Sequence, residues 1–275
     1  MSDFLSKILE RKRDEVRAAE KRIPEQVLRR EAEKPDGRRA FTERLAGPGP
    51  LGMNVIAEIK RASPSKGKIR ENVDPAEYAR KYELGGAAAI SVLTDRNFFS
   101  GSPDDLGKVK SAASLPTLRK DFLISSYQVY ESAAMGADAV LLIVRALLPE
   151  FLRDLLSLCS GIGLDALVEA HDEREFETAV KAGAQLIGIN NRDLATFKTD
   201  ISTSIGLAGR ADPGQVLVAE SGIHARSDIE RLLDAGIWNF LIGEGLMRSE
   251  DPVRFLKALH GNAKIHHGDT ECTEV

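Results

Sequence analysis

The chain has 275 residues, 43% of them hydrophobic and 29% charged, enough for one large domain or two smaller ones of ordinary globular composition. Its net charge of −4 supplies no basic field for gripping nucleic acid or an anionic membrane, so any anionic ligand has to be met locally. The two cysteines, Cys159 in an apolar helical stretch and Cys272 in a polar tail, form neither a disulfide framework nor a metal-ligand spacing. There is no secretory leader pattern at the N-terminus, and no apolar run approaches the roughly 20 residues that span a bilayer. The expected setting is cytoplasmic, with no membrane or nucleic-acid partner, and a monomer is expected with an oligomer left open.

Residues 1–45 read as a helical N-terminal extension, because Leu5, Ile8, Leu9 and Val16 recur at helical spacing among many charges. Gly47, Pro48, Gly49 and Pro50 then punctuate the chain. Over 46–261 one unit repeats: a short β-rich apolar run, a polar or glycine-bearing loop, and an amphipathic helix. Eight strands are predicted, at 54–60, 88–94, 116–121, 138–144, 164–169, 185–190, 215–220 and 239–243. Helices are predicted between them at 74–84, 126–135, 150–159, 172–182 and 225–235, the last two stopped by Gly183 and Gly236; 201–209 has the weakest helical pattern. Residues 262–275 lack apolar periodicity, so a disordered tail is expected, its His266 and His267 included.

Strands alternating with helices imply parallel pairing with right-handed crossovers, and eight units fit a closed α/β barrel, the (β/α)8 or TIM barrel. A doubly wound open sheet is the alternative, but no G-x-G-x-x-G follows the first strand. In a barrel the working groups sit at the C-terminal strand ends, and here those ends are polar. They carry Glu58 and Lys60, Lys120 and Asp121, Glu169, Asn190 with Asn191 and Arg192, and Glu220 with Ser221 and Gly222. Alternation along a strand puts Glu58 with Lys60, and Lys120 with Phe122, on one side. Singly, each charge also fits a surface position or a structural ion pair. Several converging on one rim are costly to bury without a ligand. Glycine-bearing turns at 63–67, 221–222 and 243–245 offer backbone N–H groups to a phosphate.

Together these stretches resemble indole-3-glycerol phosphate synthase: VIAEIKRASPSKG (55–67), ISVLTD followed by FFSGS (90–102), LRKDFLISSYQVYES (118–132), GADAVLLI (136–143), LVEAH (167–171), IGINNRDL (187–194), AESGI (219–223) and LIGEGLMR (241–248). The resemblance implies conversion of 1-(2-carboxyphenylamino)-1-deoxyribulose 5-phosphate to indole-3-glycerol phosphate with loss of carbon dioxide and water, in tryptophan synthesis, without cofactor or metal. Carried over by motif, Lys120 is the general acid of ring closure and Glu169 the base or charge stabiliser. Glu58 and Lys60 serve carboxylate binding and later proton transfer, Asn190 positions Glu169 or substrate, and Ser221 belongs to the same rim. Arg192 approaches the substrate carboxylate. Ser63, Gly222, Gly243 and Glu244 form the phosphate cradle, Glu244 through its backbone with its side chain turned away. Phe99, Phe122, Leu141, Ile143 and Leu194 surround the aromatic ring. A phosphosugar isomerase on the same scaffold and a catalytically silent phosphate-binding barrel are the rival readings.

Overall fold

The computed structural model describes residues 3–33, 37–193 and 196–261. The tail 262–275 and the expected ring contact Leu194 lie outside the described residues. The helical extension is three helices rather than one continuous stretch: α1 (Asp3–Arg22), α2 (Glu25–Ala32) and α3 (Phe41–Leu45). Pro24 explains the first break. Its ring clashes with a helical conformation at Ile23, and it adopts φ −59° and ψ 144° itself.

The repeating part runs β1 (Asn54–Ile59), a small hairpin of β2 (Ala62–Ser63) and β3 (Gly67–Lys68), α4 (Pro75–Leu84), β4 (Ala89–Leu93), α5 (Pro103–Ala112), β5 (Thr117–Lys120) and α6 (Ser126–Ala134). It continues with β6 (Ala139–Ile143), α7 (Pro149–Gly161), β7 (Asp165–Ala170), α8 (Glu173–Lys181), β8 (Leu186–Asn190), α9 (Ser202–Ala208), β9 (Val216–Glu220) and α10 (Arg226–Asp234). β10 (Asn239–Ile242), α11 (Glu244–Arg248) and α12 (Pro252–Leu259) complete it. Local chemistry sets many of these starts. Asp74, Ser102, Ser125, Asp172 and Asp251 each accept a bond from a backbone N–H in the first turn of the helix that follows. Apart from β2 and β3, all strands pair in parallel and close into one barrel in the order β1, β4, β5, β6, β7, β8, β9, β10, with Asn54 opposite Asn239 at the closing seam. The eight barrel strands fall on the eight apolar runs, and the weak segment is helical over Ser202–Ala208.

Side-chain parity divides the core in two. Ile56, Leu118, Leu141, Leu167, Val218 and Leu241 fill the inside, and Val55, Val92, Val140, Val168 and Ile187 pack outward under the helices. At the N-terminal end of the barrel α3 acts as a plug. Phe41 and Leu45 are fully buried in the inner cluster, and the Phe41 and Thr42 N–H groups donate to Asp165 Oδ2 at 2.9 Å. The Leu45 carbonyl accepts from Asn239 Nδ2 at 3.1 Å. α1 lies across the opposite end, where Phe4, Leu5 and Ile8 line the cavity at the barrel mouth. Phe4 meets Phe98 and Phe197 edge-on, with ring centres 5.8 and 6.2 Å away. The buried Lys12 fixes this helix by ion pairs to Asp95 and Asp121, each at 2.9 Å. No helix among the described residues is long and apolar enough to cross a membrane.

Candidate active site

The inward parity that fills the barrel with Ile56, Leu118, Leu167 and Val218 continues two residues further into Glu58, Lys120, Glu169 and Glu220. The apolar layer therefore ends in a charged one at the C-terminal rim. Lys120 Nζ donates to Glu169 Oε2 at 2.7 Å and to Glu220 Oε2 at 2.9 Å. Lys60 Nζ donates to Glu58 Oε1 at 2.6 Å. All three carboxylates are almost fully buried, and each has to be balanced within the site.

Two lysines face three carboxylates here, and that imbalance sets the electrostatics. Burial disfavours the Lys120 cation, but the surrounding Glu169, Glu220 and Glu58 outweigh it and hold the group above the ordinary lysine range. Glu169 is driven well below the usual carboxylate value, because Lys120 and His171 overcome its burial. Glu220 goes the other way. Burial pushes it up, Lys120 pulls it down, and the nearby Glu169 and Glu58 help to leave it at about 7. Its Oε1 is buried without a hydrogen-bond partner, which fits a group poised to take up a proton.

Close approaches by glycine make room for this layer. A methyl group on Gly188, in β8, would collide with Glu220 Oε1, and one on Gly243 would sit 2.5 Å from Glu58 Oε1. Gly188→Ala is therefore expected to lower the unfolding free energy by about 1–3 kcal/mol, as overpacking does, and to push Glu220 off Lys120. Urea unfolding measures the first effect; an unchanged midpoint would mean that the carboxylate has room to move.

Every other sequence-predicted site residue that the structure describes lines the same cavity. Phe99 and Phe122 form one wall with ring centres 6.1 Å apart, near Leu141 and Ile143. Arg192 is tied to the Phe197 carbonyl at 3.0 Å. Asn190 lines the cavity, and its side-chain oxygen accepts from the Arg192 N–H at 3.0 Å and so braces the loop after β8, while Glu169 is held by Lys120 and His171. The turns meant for phosphate share one side of the mouth. Ser221 and Gly222 have φ of 64° and 73°, a left-handed pair that costs strain at the serine. Ser63 lies in the β2–β3 hairpin, and Gly243 precedes the first turn of α11. The Glu244 carboxylate points back along α11 to Arg248 Nε at 3.2 Å, with Lys66 at 3.8 Å. Among the described residues no group of three or more His, Cys, Asp or Glu could hold a metal ion.

Glu220 was visible in the sequence as a polar strand end but was given no role, and its signal was parity with Val216 and Val218. Phe4, Leu5, Ile8 and Phe197 also line the cavity unannounced. Nothing in the periodicity of α1 says that one part of its apolar face covers the barrel mouth.

Solved structures with the same fold include thiamine phosphate pyrophosphorylase from Pyrococcus furiosus, at TM-score 0.58 and 15% identity over 80% of this chain and 96% of that one. Another is the N-acetylmannosamine-6-phosphate 2-epimerase from Clostridium perfringens, at TM-score 0.59 and 14% identity over 83% and 98%. At such identities they speak for the barrel alone. Sequence relatives are far nearer. An indole-3-glycerol phosphate synthase of Syntrophobacter fumaroxidans is 56% identical over 95% of this chain and 98% of its own length. That of Desulfosudis oleivorans is 57% identical over 94% and 99%. The family model described as indole-3-glycerol phosphate synthase matches residues 5–259, the whole barrel together with most of α1, and the chain belongs to that family.

Proposed function

We propose that this site closes the indole ring of indole-3-glycerol phosphate on 1-(2-carboxyphenylamino)-1-deoxyribulose 5-phosphate, with Lys120 as the proton donor. The observation that carries the reading is the position of Lys120, half-buried at a strand end between Glu169 and Glu220 and facing an aromatic-walled cavity. An ammonium group has three N–H donors, and two are taken by carboxylates. The third serves the substrate ketone. As the ring carbon attacks that ketone, the new C–C bond forms and the carbonyl oxygen takes the Lys120 proton. Glu169, kept ionised, stands against the positive charge that develops on the arylamine. Loss of carbon dioxide restores the aromatic ring, and water leaves afterwards.

Lys60 pairs with the substrate carboxylate before that loss, and Glu58 shares the later proton transfer. Too firm a grip by Lys60 would stabilise the ground state, and its bond to Glu58 moderates it. Phe99, Phe122, Leu141 and Ile143 hold the aryl end, with Arg192 near its carboxylate. Backbone N–H groups around Ser63, Gly222, Gly243 and Glu244 take the phosphate. Anchoring both ends of a flexible substrate brings the reacting carbons together. Incubation with the carboxyphenylamino-deoxyribulose phosphate is expected to produce indole fluorescence with release of one carbon dioxide per turnover. Product formation without carbon dioxide would indicate an isomerase instead.

A further inference from the structure

His171 follows β7 two residues beyond Glu169 and is buried, its side chain only 3% exposed. Both ring nitrogens meet carboxylates. Nδ1 is 3.0 Å from Glu175 Oε2, and Nε2 is 3.3 Å from Glu169 Oε1, within ion-pair range though out of line for a hydrogen bond. An ionised carboxylate has no proton to give, so each nitrogen has to carry its own, and the ring is an imidazolium. Glu175, on α8, is itself fixed: Arg145 Nε donates to its Oε1 at 2.5 Å, and the His171 N–H donates to its Oε2 at 3.0 Å. Asp172, at the start of α8, faces Arg145 at 3.4 Å. Charges thus alternate from Arg145 through Glu175, His171 and Glu169 to Lys120 and Glu220.

We propose that His171 is a positioning residue for Glu169: as a buried cation it holds Oε1, leaves Oε2 to Lys120, and keeps the group a carboxylate when an anionic substrate fills the site. This rests on the reading of Glu169 as the charge partner in ring closure. The site's own balance asks for such a cation, since Glu58, Glu169 and Glu220 outnumber Lys60 and Lys120. Burial opposes the imidazolium, but Glu169 and Glu175 outweigh it and raise His171 to about 9, so the charge persists across neutral pH. The part of His171 lies behind the reacting atoms, which it does not touch.

The test is His171→Gln, which keeps a hydrogen-bond donor and removes the charge. Carbon-13 NMR of labelled glutamate, with the Glu169 signal assigned through Glu169→Gln, follows the carboxyl directly. An opposite charge a few ångströms away lowers a carboxyl by roughly 1–3 units, so its removal should raise the Glu169 titration by about that much. The kcat should fall and its acid limb move to higher pH, while KM for the carboxyphenylamino-deoxyribulose phosphate stays within about twofold. A folded His171→Gln protein whose Glu169 titrates as in the parent would overturn the proposal. Should that variant lack a native circular dichroism spectrum, the reciprocal reading decides: in Glu169→Gln the His171 ring should titrate below 9, and an unchanged ring titration overturns the proposal. The two readings fail separately. Full turnover in Glu169→Gln would remove the role of Glu169 in ring closure, whereas the NMR titration alone judges what His171 does to it.

Discussion

In Lys120→Ala, turnover falls at least about a hundredfold while substrate binding is largely kept, the loss expected when a positioned general acid is removed. Binding survives because the phosphate turns and the aromatic wall do not depend on this lysine. Nor does the site gain a full uncompensated charge. Removing the ammonium leaves Glu169 and Glu220 adjacent, and Glu220, already poised at about 7, takes up a proton in place of the lost cation. Single-turnover indole fluorescence measures the chemical step, and equilibrium titration with substrate measures binding. Unchanged turnover would remove Lys120 from the reaction. A rise in KM with constant kcat would make it a binding group only.

The pH behaviour of the same site follows from Glu220. While Glu220 is ionised, Lys120 is held between two anions and gives up its proton reluctantly. Once Glu220 is protonated, Lys120 has one fewer anionic partner and becomes a stronger acid. The folded form of Glu220 binds its proton up to about 7, above an unfolded glutamate, so this group contributes stability that fades as pH rises from the ordinary carboxylate range through 7.

Much of this was legible in the sequence because a parallel barrel writes its pattern into short buried strands. Runs such as NVIAEI and AVLLI carry no alternation, since helices cover one face and the inner core the other. The charges that end those runs marked the rim. What was not legible depends on the third dimension. Pro24 was readable as a helix break, yet the pattern of Leu5, Ile8, Leu9 and Val16 was continued across it. The bracing of Asn190 against the Arg192 N–H depends on the path of the loop after β8. His171 and Glu175 meet because α8 begins directly after β7, and a spacing of four residues in a loop-to-helix junction fixes no contact by itself.

The partnership of Lys12 with Asp95 and Asp121 joins residues far apart in sequence, and it bears the largest expected effect on stability. Lys12 is buried, and its ammonium reaches Asp95 and Asp121 at 2.9 Å and Glu15 at 2.7 Å. Asp95 also accepts from the Phe98 N–H at 2.7 Å, and Asp121 from the Phe122 N–H at 2.8 Å. One lysine thus ties α1 to the two loops that carry the ring wall. Lys12→Met fills similar space but leaves buried carboxylates short of a partner, a change that costs about 3–5 kcal/mol. The cost has a defined pH dependence. Burial would raise Asp121, but Arg119 and Lys12 prevail and lower it to about 2. A depressed carboxyl contributes stability above its unfolded value, near 4, and loses it as pH falls from there towards 2. Without Lys12, Asp121 titrates higher, so the acid transition begins at higher pH. At neutral pH the two proteins should differ by the full amount in urea unfolding, and as pH falls through about 2 the gap should close as Asp121 becomes protonated in both. A gap that stays constant into acid would assign the loss to packing of the lysine stem rather than to its charge. In either case the substrate KM should rise, because Phe4, Leu5 and Ile8 roof the cavity only while α1 is held in place.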